Sequence, residues 1–269
     1  METPAALGII AGSGSYPFLV SRSARRAGVQ KIVAAAFTGE TRPELEQAVD
    51  EIHWMRVGQL ARLINCLRDA GVHHAMMAGQ IAPKNLFDLR PDWKSLLLLA
   101  RLKRRNAETI FSAIADDLAA VGVELLPATS FLEEAVAPRG LIAGPRLSSR
   151  EEEDVAYGLE IAKEVSRLDI GQTVVVRHGT VVAVEAFEGT DETLKRGGAL
   201  ARKGAVMVKV SKPNQDSRFD VPVIGVETLR IAAEANVRVV AVEAGGTLLL
   251  EKEELVAFAK SSGVSVFGC

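Results

Sequence analysis

Short apolar runs ended by glycine and alternating with helical stretches constrain this chain more than any other feature. Leu7–Ala11 is a continuous apolar run closed by Gly12-Ser13-Gly14-Ser15, and a helical pattern follows from about Tyr16 to Ala27. Lys31–Ala36 and Ile52–Val57 are again strand-like, an amphipathic pattern covers Gln59–Ala70, and His73–Ala78 ends at Gly79. Such runs read as strands buried on both faces and joined by helices, that is, as βαβ units around a parallel sheet. Right-handed crossovers then bring the turns after each strand to one edge, so the turns at Gly12 and Gly79 should lie near each other. A helical region from Trp93 to Val121 and a strand at Val123–Pro127 complete this half.

The second half has a different texture. Residues 135–147 carry two prolines and two glycines between Ala135 and Pro145 with little periodicity, which predicts a linker. Ser148 followed by Glu151 forms a capping-box pattern for a helix running to about Leu168. Thr173–Arg177 and Thr180–Glu185 flank His178-Gly179, a two-residue hairpin turn. Helices are expected at Asp191–Arg202, Glu227–Glu234 and Lys252–Lys260, with strands at Ala205–Val210, near Val223 and at Arg238–Val242. The expected organisation is α/β in two domains: a Rossmann-like parallel sheet over 1–134, a linker over 135–147, and a mixed α/β catalytic domain over 148–269.

Composition narrows the function classes. The formal net charge of the 269 residues is −2, which carries no electrostatic footprint for nucleic acid. Cys66 and Cys269 lack zinc-like spacing, and two lone thiols suit a reducing compartment. No signal-like segment opens the chain, and Leu96–Ala100 and Val237–Ala244 are too short to span a bilayer. A soluble, cytoplasmic protein is expected, at most peripheral to a membrane.

Three segments can carry chemistry. Gly12-Ser13-Gly14-Ser15 joins a strand to a helix, where free amides and hydroxyls favour an anion, although the same residues also suit a tight turn with Ser15 as N-cap. Pro17 stands where a dinucleotide fingerprint needs glycine, and the Walker lysine is absent, which argues against a nicotinamide site and an ATPase. Gly79-Gln80 ends another strand, with Gln80 placed to read a base or sugar or with Gly79 needed only to turn the chain. Ser211–Asp220 is the richest. Asp216 and Asp220 are spaced to meet a hard cation such as magnesium, while Lys212 and Arg218 can neutralise phosphate and Gln215 adds an amide. A solvated loop is the competing reading, but long polar loops between buried strands are often functional. Glu185, Thr190 and Glu243 with Gly245-Gly246 are fainter candidates, and Thr190 also suits a helix cap. Arg101–Arg105 can meet anionic headgroups or simply form a solvated helix face. The four histidines offer no triad, so the inventory suits metal-assisted phosphoryl chemistry better than acyl transfer.

Leu7-Gly8-Ile9-Ile10-Ala11-Gly12-Ser13-Gly14, Ala78-Gly79-Gln80-Ile81, the run Lys212–Gly225 and Val242-Glu243-Ala244-Gly245-Gly246 resemble, in order and across nearly the whole chain, the LpxI-type UDP-2,3-diacylglucosamine pyrophosphatases. The resemblance implies hydrolysis of UDP-2,3-diacylglucosamine to UMP and 2,3-diacylglucosamine 1-phosphate (lipid X) in lipid A biosynthesis. It also implies dependence on Mg2+ or Mn2+, a homodimer, and peripheral access to the inner membrane surface. Asp220 is the first choice for the catalytic aspartate and Asp216 the second, both also as metal ligands. Gly12, Ser13, Gly14, Ser15, Gly79, Gln80, Lys212, Gln215, Arg218, Glu185 and Thr190 are expected to contact substrate. Many relatives carry Gly-Asp-Asp where this chain has Asn106-Ala107-Glu108, which leaves Glu108 alone in that role or moves the role elsewhere. The alternatives are another nucleotide-sugar or phosphosugar enzyme, or a nucleotide- or lipid-binding protein without turnover.

Overall fold

The computed structural model describes residues 3–81, 92–102, 107–213 and 216–269. The chain divides into two compact units. The first runs to Leu132 and also takes in Asp216–Asp220; the second comprises Glu133–Gln215 and Val221–Cys269.

In the first unit, β1 (Ala6–Ala11), β2 (Lys31–Phe37), β3 (Glu51–Met55), β4 (His74–Ala78) and β5 (Glu124–Leu125) form a parallel sheet in the order β3-β2-β1-β4-β5. Its helices are α1 (Tyr16–Arg26), α2 (Leu60–Asp69), α3 (Trp93–Arg101) and α4 (Ala107–Ala119). The helical region expected over Trp93–Val121 is thus two helices. The sheet follows from the apolar runs: Leu7, Ile9, Ile32, Val33, Ala34 and Met76 are fully buried. On α2, Leu60, Leu63, Ile64 and Leu67 recur at helical spacing and pack in one cluster with Val33 and Ala35. Leu67→Ala would open a cavity there at a cost of about 2–5 kcal/mol. The strand order reverses between β1 and β4, which makes the ends of these two strands the topological switch point of the sheet.

In the second unit the main sheet has the order β6-β13-β11-β9-β7-β8. Its strands are β6 (Gly140–Ala143), β7 (Thr173–Arg177), β8 (Thr180–Val184), β9 (Ala205–Lys209), β11 (Val237–Val242) and β13 (Ser265–Gly268). β9, β11 and β13 are parallel, and β6, β7 and β8 pair antiparallel. A small parallel pair joins β10 (Val223–Ile224) to β12 (Leu248–Leu249). The helices are α5 (Ser149–Arg167), α6 (Thr190–Ala201), α7 (Val226–Glu234) and α8 (Lys252–Ser262). Alternate residues divide the core by face. Val174, Val176, Val206 and Val208 cluster with Val155 and Ala162 of α5. Val175, Met207, Val240 and Val242 cluster instead with Leu194, Leu229 and Leu255 of α6, α7 and α8.

The capping box at α5 is present, with the Ser148 hydroxyl accepting from the Glu151 amide and Glu151 reaching back to the Ser148 amide. The hairpin turn is present too: His178 and Gly179 both have positive φ. Asp154, buried on α5, accepts from both of their amides at 2.8 and 2.7 Å, which holds a histidine in a conformation it rarely adopts. Residues 135–147 differ from the linker expectation. They carry β6, an edge strand paired with β13 in the second unit. An edge strand bonds on one side only and so tolerates the flanking Pro138, Gly140 and Gly144 that gave the stretch its loop-like texture.

Candidate functional site

The glycine turns at the switch point meet, as the parallel topology requires. The Gly12 amide donates to the Ala78 carbonyl and the Ser13 amide to the Gln80 carbonyl, both at 2.7 Å. The Ser13 hydroxyl also donates to the Gln80 carbonyl, at 2.9 Å, and the Thr41 hydroxyl donates to the Ala11 carbonyl. Backbone lies against backbone here. A Cβ on Gly12 would sit 2.5 Å from the Gln80 oxygen, and one on Gly79, where φ is +92°, would sit 2.4 Å from the Ser13 oxygen. Both glycines are therefore required by close approach alone. Their internal bonds stop at Ser13, so Gly14, Ser15 and the first turn of α1 remain the part of this turn able to face a ligand. Pro17 removes one amide from that first turn. His73 and His74 lie at the opposite end of β4, as expected from the strand direction.

Asp216–Asp220 packs within the first unit rather than in the C-terminal domain where the sequence placed it. Ala128 is the hinge of that packing. Its amide donates to the Ser217 carbonyl at 2.7 Å, and its carbonyl accepts from the buried Tyr16 hydroxyl at the start of α1. One residue thus links the helix behind the Gly12 turn to the aspartate segment. Burial raises the Tyr16 phenol well above its ordinary value, so it stays a donor. Phe219 stacks on Phe111 of α4, with ring centroids 5.5 Å apart. None of Tyr16, Phe111 and Ala128 carried a chemical signal in the sequence, because their role depends on contacts about a hundred residues distant.

The two aspartates differ in kind. Asp216 is held by Arg218 in a bidentate pair, with Nε to Oδ1 at 2.9 Å and Nη2 to Oδ2 at 2.6 Å. The Arg218 amide also donates to Oδ1, at 3.0 Å. The hydrogen bond from the Arg218 side chain holds the Asp216 carboxyl below its ordinary range, against a smaller opposing effect of burial. Asp220 closes a helical turn through its amide to the Asp216 carbonyl, at 3.0 Å. Its half-buried carboxylate has no hydrogen-bond or ion-pair partner among the described residues. Both Asp216 oxygens are thus engaged by Arg218, while those of Asp220 have no partner among the described residues. Arg218 Nη1 is likewise without a hydrogen bond among the described residues. Gln215 lies outside the described residues, as does the side chain of Glu108. Among the described residues, no group of three or more His, Cys, Asp or Glu side chains is arranged to hold a metal.

Glu185 and Thr190 lie in the second unit, inside a buried network. The Thr190 hydroxyl donates to Glu185 Oε1 at 2.9 Å and accepts from Lys209 Nζ at 3.1 Å. Lys209 also donates to the Val223 carbonyl at 3.3 Å, and the Gln172 amide donates to Glu185 Oε2 at 3.3 Å. Glu185 and Lys209 are each only 7% exposed. Topology brings them together, because Thr173 at the start of β7 lies opposite Lys209 at the end of β9. Lys209 precedes the polar loop and Val223 follows it, so the network ties both ends of that loop. The described bonds engage both Glu185 oxygens and the Thr190 hydroxyl within the protein. The N-cap of α6 is Gly189, not Thr190.

At the same sheet edge Glu243 accepts from Lys163 Nζ at 2.6 Å and from the Ser211 amide at 2.7 Å. Burial alone would raise the Glu243 carboxyl, but these two donors hold it below its ordinary value. Gly246 lies under Ser211, whose hydroxyl donates to its carbonyl at 3.2 Å. Lys212, expected to meet phosphate, donates to Asp169 at 2.5 Å. Lys163 and Lys209, absent from the sequence candidates, are thus the cations that anchor the loop base. Burial pushes the Cys66 thiol up to about 11 and raises Cys269 as well, so neither is poised as a nucleophile.

Comparison with known proteins gives a consistent family. The models described as LpxI N-terminal domain and LpxI C-terminal domain match residues 6–135 and 138–267. The chain is 30% identical over 273 residues to UDP-2,3-diacylglucosamine pyrophosphatase LpxI of Caulobacter vibrioides, covering 97% of this chain and 96% of that one. Among solved structures, the biotin carboxylase domain of Hydrogenobacter thermophilus 2-oxoglutarate carboxylase aligns with 67% of this chain and 36% of its own, at 13% identity and a TM-score of 0.29. The protein gox2253 aligns with 98% of this chain and 89% of its own, at 11% identity and a TM-score of 0.29. Neither likeness carries an argument.

Proposed function

The chain belongs to the LpxI family, and from that premise we propose that it hydrolyses the pyrophosphate bond of UDP-2,3-diacylglucosamine, giving UMP and 2,3-diacylglucosamine 1-phosphate. The observation that carries the reading is the contrast within one turn of chain: Asp216 locked to Arg218, and Asp220 half-buried with a carboxylate left unpaired. A half-buried carboxylate with no described partner keeps both oxygens open to a ligand.

Arg218, fixed by Asp216, keeps Nη1 for a phosphate oxygen. Gly14 and Ser15 offer the amide end of α1 to the nucleotide or diphosphate. A bare carboxylate beside a diphosphate is repulsive, so Asp220 fits a divalent cation better than it fits the substrate alone. Magnesium commonly takes one or two carboxylates and completes its shell with substrate phosphates and water. Asp220 matches that pattern; Asp216 does not, since both its oxygens are engaged by the guanidinium. Bound there, Mg2+ or Mn2+ would offset the charge that develops on the phosphate oxygens. The Ala128 amide and the Phe111 ring seat the segment that carries Asp220. The family resemblance also supports a homodimer, which sedimentation of the full chain would test.

The test is release of UMP from UDP-2,3-diacylglucosamine by the full chain with magnesium. Turnover that stops with EDTA and returns with added Mg2+ or Mn2+ is expected. Absence of release would overturn the hydrolytic reading, and release indifferent to EDTA would overturn the cation.

A further inference from the structure

Tyr16 opens α1 directly after Gly14 and Ser15, and only 7% of it is exposed. A ring buried to that depth packs as well in a phenylalanine, so the hydroxyl has a reason of its own. It donates to the Ala128 carbonyl, 112 residues away in sequence. Ala128 is itself buried, three residues beyond β5, at the carboxyl edge of the sheet where β1 and β4 also end. No other donor reaches that carbonyl among the described residues. The Ala128 amide points the other way, to the Ser217 carbonyl at 2.7 Å. Among the described residues this is the one hydrogen bond that joins Asp216–Asp220 to the rest of the first unit. Aromatic contacts add to it, with Phe219 on Phe111 and the Arg218 guanidinium 5.8 Å from the centre of the Phe219 ring. Ring contacts tolerate sliding, whereas a hydrogen bond weakens steeply with misalignment, so the Ala128 amide sets the register of the segment.

The segment responds to that bond as a unit. The Phe219 and Asp220 amides both donate to the Asp216 carbonyl, at 3.2 and 3.0 Å, which closes Asp216–Asp220 into one turn around Ser217. A displacement of the Ser217 carbonyl therefore carries Arg218 and Asp220 with it. The place of Ala128 depends in turn on the phenol. Without the hydroxyl, its carbonyl is buried with no donor, and the chain there must shift to find one. Misplacement of reacting groups by about 1 Å is enough to slow a reaction strongly.

We propose that Tyr16 is a positioning residue, whose hydroxyl acts through Ala128 to hold the Asp216–Asp220 turn in register with the Gly14–Ser15 end of α1. Its effect on turnover rests on the hydrolytic reading; its effect on the segment does not. The test compares Tyr16→Phe with Ser21→Ala in the full chain. Ser21 is the control, because it lies on the same helix, is 1% exposed and donates its hydroxyl to the Ala48 carbonyl, which precedes β3. The two substitutions remove the same kind of bond from one helix, so a general loosening of the fold acts on both. Hydrogen–deuterium exchange is measured first, with no substrate present. The Phe219 and Asp220 amides should exchange at least about fivefold faster in Tyr16→Phe and at the wild-type rate in Ser21→Ala. For UMP release, kcat should fall about tenfold or more in Tyr16→Phe while KM stays within about threefold, because no group offered to the substrate is removed. Ser21→Ala should keep both constants. Wild-type exchange at Phe219 and Asp220 in Tyr16→Phe would overturn the proposal, as would equal acceleration in Ser21→Ala. An unchanged kcat in Tyr16→Phe, or a loss matched by Ser21→Ala, would overturn it too. A wild type that releases no UMP would end the hydrolytic reading, and the exchange comparison would still decide the positioning.

Discussion

The two sheets end in different ways, and the difference separates scaffold from chemistry. At the switch point of the first sheet, the turns at Gly12 and Gly79 close on each other through main-chain hydrogen bonds, with no charged side chain between them. At the edge of the second sheet, the ends of β9 and β11 carry Lys209 and Glu243, each tied into a polar network around the base of the loop that leads to Asp220. Glycine signatures invite a functional reading, and close packing by itself also requires Gly12 and Gly79. The charged residues of the second sheet tie together the strand ends around them.

Substitutions can break this contrast. Lys209→Met should have the largest effect on stability, about 3 kcal/mol, because it leaves the Thr190 hydroxyl and the Val223 carbonyl without their donor in a buried network. Denaturant unfolding measures it, and kcat should fall further than KM rises, since the loop loses its anchor rather than the substrate a contact. A loss confined to KM would make Lys209 a substrate ligand instead. Gly79→Ala comes next, at about 2 kcal/mol or more, from positive φ and a Cβ driven into the Ser13 carbonyl. Ser13→Ala sharpens the comparison most. The account predicts loss of one hydrogen bond, about 1 kcal/mol of stability, with KM nearly unchanged. A tenfold rise in KM would restore Ser13 to the substrate.

Acid supplies the smallest effect. The folded state lowers the carboxyls of Asp216 and Glu243 below their ordinary values of 3.8 and 4.5. Each therefore adds stability that is fully present above its ordinary value and is lost as pH falls through the lower folded one. Thermal unfolding midpoints should hold down to about pH 5 and drop below about pH 4. Asp216→Asn should flatten part of that drop.

Much of the fold was legible because period and punctuation coincide. Leu7–Ala11, Lys31–Ala36 and His73–Ala78 read as buried strands, and the prediction that Gly12 and Gly79 meet followed from topology alone. Ser148 with Glu151 announced α5 from local chemistry. Strands β6, β12 and β13 were missed because they are only two to four residues long, and propensity over so few residues carries little information. In the site, Asp216 and Asp220 were picked out together, but nothing in the spacing told them apart. The distinction depends on Arg218 folding back on Asp216, and on Ala128 and Phe111 seating the segment in the first unit. Glu185 and Lys209 are separated in sequence and are joined through Thr190 because β7 runs antiparallel to β9.

The division of labour between the two aspartates is the central claim, and a paired substitution tests it. UMP release and the unfolding midpoint are measured for Asp220→Asn and Asp216→Asn beside wild type. Asp220→Asn should lose about a thousandfold in turnover with an unchanged midpoint, since no described partner is lost. Asp216→Asn should unfold at lower temperature and keep turnover within about tenfold, because its loss loosens Arg218 without removing the reacting carboxylate. Wild-type turnover by Asp220→Asn, or an equal collapse in Asp216→Asn with its midpoint intact, would contradict the account.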